Sequence, residues 1–243
     1  MRLFSALIIS CLIAPLSYAE TLWGPKVNVG NGHALSFVKV HKNKPLEFGV
    51  ALTPEALQNL SDEMKEFSIP LPDKGTLPPF QHITLDWNPQ GHEPDGVYNK
   101  PHFDVHFYLI SEKARKAITC IGEDAIFCMQ LPKTEYLVPH YAPTPAAIPQ
   151  MGWHWVDLLA PEFNGGIFTR TLIHGYYGGE PIFIEPMVSL EYLLAKNSSE
   201  EEIRLPEKFP MKEGHYPAGY KIFFDSADGM HKIVVKDFPD EGP

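Results

Sequence analysis

Pro101-His102-Phe103-Asp104-Val105-His106-Phe107-Tyr108 alternates polar and apolar side chains over most of its length. On a pleated strand this sends His102, Asp104 and His106 to one face and Phe103, Val105 and Phe107 to the other. Aromatic and β-branched residues at every second position predict a strand that packs on a core through that side. The polar side carries three groups able to ligate a metal ion, each about 6 to 7 Å from the next along the strand. All three cannot reach one ion, so a site here needs partners from other strands.

Upstream, His82-Ile83-Thr84-Leu85-Asp86 repeats the alternation, and a turn-rich loop over 88–100 joins it to the strand at 102–110. Residues 26–29 and 34–41 flank Gly30-Asn31-Gly32, a hairpin signal, and 46–52 continue as another strand. Thr53-Pro54-Glu55 supplies a cap, a proline at the first helical position and an acid in the first turn, which predicts a helix over 54–66. Downstream, Ser111 caps a short helix with a charged, solvated face. Prolines over 132–149 predict an extended arm. Two further hairpins are expected, 166–174 with 181–190 around Gly178-Gly179, and 220–225 with 231–236 around Ser226 to Gly229. Residues 197–213 read as a polar surface loop. Together these predict a mainly β fold, an antiparallel β-sandwich or barrel with one or two short helices.

Residues 1–19 have the form of a signal peptide: Arg2, an apolar stretch from Leu3 to Leu16, and Ser17-Tyr18-Ala19 before the expected cut. Cys11 lies too early in that stretch for a convincing lipidation box. The expected product is a single β-rich domain, 20–243, located in the periplasm or secreted, and no later segment is apolar for long enough to span a membrane. Lys and Arg number 20 against 30 Asp and Glu, a formal charge of −10 without a basic cluster, so nucleic acid is not an expected partner. A small-molecule ligand and self-association into a homo-oligomer remain compatible with the sequence. Cys120 and Cys128 read as a disulfide closing a short loop in an oxidising compartment.

Two segments supply the best metal-binding partners for the 102/106 pair. In Met151-Gly152-Trp153-His154-Trp155 a histidine sits between two indoles that are expected to exclude water around it. In Pro181-Ile182-Phe183-Ile184-Glu185-Pro186-Met187 a carboxylate shares a face with Phe183 and Met187, a costly position unless it is paired. His102, His106, His154 and Glu185 are therefore the candidate ligands, a set suited to Zn, Mn, Fe or Ni, with zinc the first choice. His82, His92 and Asp104 are supporting groups or alternative ligands, Asp104 as the acceptor that orients an imidazole. Glu93, next to His92, shares the loop that leads into the strand. The competing readings are a solvated polar sheet face, a hydrogen-bonded core histidine at 154, and a Glu185–Arg170 ion pair.

Asn88-Pro89, Gly91-His92-Glu93-Pro94, the 101–108 string, Met151-Gly152-Trp153-His154-Trp155 and Glu185-Pro186-Met187 together resemble a family of uncharacterised bacterial exported β-rich proteins, whose prototype is an envelope-stress protein of a Thermus species. The resemblance covers about residues 82–190. It implies a β-rich architecture and export, and transfers no catalytic residue. A weaker similarity is to cupin metal sites, which also use three histidines and a glutamate, but the order along the chain differs here. No Ser-His-Asp or Cys-His signature, nucleotide loop or zincin helix is present. The functional expectation is an exported protein with a His/Glu metal site, the alternative being a non-catalytic stress or binding protein whose histidines form a structural polar network.

Overall fold

The alternating stretch at 102–108 becomes a strand buried on both faces. The computed structural model describes residues 18–42, 44–74, 80–209 and 216–239. All but the last two residues of the expected leader lie outside these, as do 75–79 and 210–215.

In chain order the strands begin with β1 (Glu20–Trp23), β2 (Val27–Val29), β3 (Gly32–His41), β4 (Lys44–Leu52) and β5 (Lys65–Ile69). Next come β6 (His82–Asn88), β7 (His102–Tyr108), β8 (Tyr141–Pro143), β9 (Trp153–Asp157) and β10 (Arg170–Tyr177). The series ends with β11 (Glu180–Ser189), β12 (Ser199–Glu202), β13 (Gly219–Asp225) and β14 (Met230–Lys236). One sheet runs β1-β3-β4-β14-β13-β12 with β2 also on β3, and the other runs β5-β6-β7-β11-β10-β9-β8. Every pairing is antiparallel, and each sheet keeps its own two edges, so the fold is sandwich-like and not a closed barrel.

Between the sheets, Phe48, Val50, Ile233 and Val235 share one core with Ile83, Leu85, Phe103, Val105 and Phe107. The Phe107 ring lies 5.5 Å from that of Phe48 and 5.7 Å from that of Phe80. The outer face of the second sheet is covered by connecting segments, with Tyr98, Ile118 and Phe168 packing on Tyr108, Phe183 and Met187. That second layer encloses the polar face of β7.

All three expected hairpins form. The helix expected over 54–66 does not. Pro54–Leu57 makes one 3₁₀ turn, Gln58 is extended, Asn59 takes a positive φ of 53°, and the chain re-enters as edge strand β5. The start signal fixed only the first turn, while Phe67 and Ile69 bury at period two against the core. Among the described residues there are three short α-helices: α1 (Glu112–Lys116), α2 (Glu123–Cys128) and α3 (Leu190–Leu194). Ser111 Oγ accepts from Ala114 N at 3.2 Å, and Ser189 Oγ caps α3 likewise at 3.2 Å. Ser199–Glu202, expected to be loop, pairs with β13 as an edge strand. Its acids are engaged by cations, Glu200 with Lys236 at 2.6 Å and Glu201 with Arg170 at 2.6 Å, a charged edge that resists pairing with another chain. Among the described residues no helix is long and apolar enough to cross a membrane.

Cys120 and Cys128 form the disulfide, with Cα atoms 5.5 Å apart. Within this loop Asp124 accepts from Tyr177 Oη at 2.6 Å and from Thr119 N, Thr119 Oγ1 and Cys120 N at 2.8 Å each. Tyr177 first, then Thr119 and the Cys120 amide, hold its pKa down at about 2. A carboxyl depressed on folding adds stability above its unfolded pKa of about 3.9, and that stability disappears as pH falls toward the folded value. The difference in denaturant midpoint between wild type and Asp124→Asn should therefore be full above about pH 5 and shrink between about pH 4 and 2. A difference that stays constant across this range contradicts the assignment.

Candidate metal centre

Register on the outer face of the second sheet decides which polar groups meet. β6 and β7 pair so that Thr84 faces His106, Asp86 faces Asp104 and Asn88 faces His102. The pairing of β11 with β7 sets Phe183 opposite Tyr108 and Met187 opposite Asp104, a register that aligns Glu185 with His106. β10 matches Ile173 to Glu185, and β9 brings His154 beside Gly175. A Cβ on Gly175 would lie 2.1 Å from the Phe183 ring, so this position between His154 and Phe183 accepts only hydrogen.

The four expected ligands do not form one group. His106, His154 and Glu185 converge, each offering a ligand atom within 4.8 Å of the others. His106 Nε2 is 3.5 Å from Glu185 Oε2, and His154 Nε2 is 3.7 Å from the same oxygen. Behind His106, its Nδ1 lies 2.9 Å from Asp86 Oδ2. His102 stands elsewhere, with His92 and Asp104. A four-residue step on a strand carries a side chain about 13 Å along it, beyond the span of one coordination sphere.

Charge in the first group is finely opposed. Burial disfavours charge on His106, but the carboxylates of Glu185 and Asp86 outweigh it and raise the pKa to about 9. Burial moves Glu185 upward, against the pull of His106, and also moves Asp86 upward. His154 is lowered to about 3 by burial, reinforced by the charges of His106 and His92. It is therefore a neutral imidazole, the form a metal binds.

In the second group, Asp104 Oδ2 accepts from Asn88 Nδ2 at 2.6 Å and is 3.3 Å from His92 Nε2, while Oδ1 is 3.1 Å from His102 Nε2. Burial works upward on Asp104, but His102 and His92 hold its pKa below the usual carboxylate range. His92 is disfavoured by burial yet raised to about 9 by Asp104 and the Glu93 carbonyl. The loop that presents His92 turns at Gly91, where φ is +73° and a Cβ would sit 2.0 Å from the Tyr98 carbonyl.

His106, His154 and Glu185 line one cleft of about 660 Å³ together with His92 and Asp104 of the second group, His102 lying buried behind them, and Tyr98, Ile148, Met151 and Val156 also wall it. Mostly buried His, Asp and Glu side chains that could hold metal ions therefore gather in two groups at this cleft. His82 joins neither group; it stacks on Tyr108 with ring centres 4.4 Å apart, and burial followed by Arg115 lowers its pKa to about 4. The indoles expected around His154 point away from it, because neighbours on a strand alternate faces; Trp153 and Trp155 pack with Tyr176, and His154 meets Phe183 at 5.2 Å. Arg170 pairs with Glu201 and leaves Glu185 to the histidines. Asn88 continues the polar side of His82-Thr84-Asp86 at period two, the pattern that sets it opposite His102. Neither a known protein family, nor a curated protein, nor a solved structure matches this chain.

Proposed function

We propose that the protein is an exported metal-binding protein whose centre at His106, His154 and Glu185 holds a divalent transition-metal ion, zinc in the first instance. The observation that carries this reading is the pair of 3.5 and 3.7 Å separations around Glu185 Oε2. These are long for hydrogen bonds and close to the roughly 3.4 Å between two ligands of one tetrahedral ion. Asp86 behind His106 supports it, since metal-bound imidazoles commonly give their other nitrogen to a carboxylate. Two imidazoles and a carboxylate leave a fourth position for a small molecule, and the cleft provides the approach. When bound, such an ion supplies Lewis acidity. Asp86 lies against the His106 ring, Phe183 packs against His154, and the apolar walls limit water. Export is supported by the disulfide, which belongs to oxidising compartments, and by the leader-like residues 1–19.

Thermal unfolding of tag-free protein with and without zinc tests the centre. Zinc at about 100 times its Kd stabilises a protein by about 2.7 kcal/mol, and most of the stabilisation from this centre should vanish in His154→Ala. His154 is neutral, so its removal leaves no unpaired charge and the metal-free variant should stay folded. Equal zinc stabilisation in wild type and variant overturns the reading.

A further inference from the structure

We infer that His92, His102 and Asp104 form a second divalent-cation site in the same cleft, separate from the one at His106, His154 and Glu185. His102 Nδ1 donates to the Lys100 carbonyl at 2.6 Å, and His92 Nδ1 donates to the Glu93 carbonyl at 2.7 Å. In a neutral ring this leaves each Nε2 as a lone pair. Both Nε2 atoms lie close to one carboxylate, 3.1 Å from Oδ1 for His102 and 3.3 Å from Oδ2 for His92. Three acceptor groups thus converge, and something positive must lie among them. His102 is fully buried, and neither its Nε2 nor Asp104 Oδ1 has an aligned hydrogen-bond partner. A buried imidazole nitrogen with no aligned partner, beside a carboxylate oxygen that also has none, is costly in water-excluded surroundings and suited to a cation.

The outer contacts follow the pattern that tunes metal ligands. Backbone carbonyls fix both imidazole tautomers, and Asn88 Nδ2 fixes the carboxylate at 2.6 Å. Phe168 packs edge-on against His102 at 5.3 Å and Tyr98 against His92 at 5.7 Å, so the rings cannot easily turn away. His92 is about one-third exposed on the cleft side, giving an ion its way in. The donor set, two imidazole nitrogens and a carboxylate, takes zinc or a neighbouring first-row divalent ion.

The alternative occupant is a pair of protons, one on each Nε2, making two imidazolium ions around Asp104. Zinc titration of the tag-free full chain, followed by gel filtration and elemental analysis, separates the cases. Two equivalents are expected in wild type, one in Asp104→Asn and one in Glu185→Gln. His92→Gln serves as a second variant at the more exposed ligand and should also bind one. If Asp104→Asn and His92→Gln, both folded by circular dichroism, keep the wild-type stoichiometry, the second site is overturned. If Glu185→Gln alone keeps it, the centre at His106, His154 and Glu185 fails while this one stands.

Discussion

Glu185→Gln should leave the metal-free protein at least as stable as wild type while weakening zinc binding at its centre by about 100-fold or more. Opposite signs arise because Glu185 is buried, with 1% of its surface exposed, and its charged form is disfavoured there. Glutamine keeps the shape and removes the ionisable group, and His106 keeps Asp86 beside it, so the change costs little in the absence of an ion. With the ion, it removes an anionic ligand, and since loss of a mere orienting partner costs 10- to 100-fold, loss of a ligand costs about as much or more. Chemical denaturation of the metal-free forms and competition with a chromophoric chelator give the two numbers. A variant both destabilised and unchanged in zinc affinity would make Glu185 a structural hydrogen-bonding group.

Phe107→Ala should do the reverse. The residue is fully buried between the sheets, in ring contact with Phe48 and Phe80, and truncation of such a phenylalanine costs about 3 to 5 kcal/mol. Its side chain lies on the face of β7 opposite His106, so the zinc affinity of the folded fraction should change by no more than a few-fold. Denaturant midpoints and the chelator assay on the same sample check this. The two variants together test whether β7 divides its work by face, packing inward and binding outward.

That division was legible in the sequence, because the period-two alternation of 102–108 fixes faces whatever the neighbouring strands are. The three hairpins were legible from glycine and asparagine at their turns. What periodicity cannot give is which strands lie side by side. His102 and His106 share a face but lie about 13 Å apart, so each takes partners from different places: the Gly91 turn for His102, β9 and β11 for His106. The carbonyls of Lys100 and Glu93 that fix two imidazoles are properties of loop path and leave no mark in residue type. The segment 54–66 misled because a good helix start carries no information on where the helix stops. β5 wins there through the burial of Phe67 and Ile69 on the shared core.

Anomalous diffraction at the zinc edge from crystals of tag-free protein grown with zinc tests the central claim most directly. A peak is expected about 2.0 to 2.2 Å from His106 Nε2, His154 Nε2 and a Glu185 carboxylate oxygen. A map with no peak among these three side chains, with zinc elsewhere or nowhere, would contradict it.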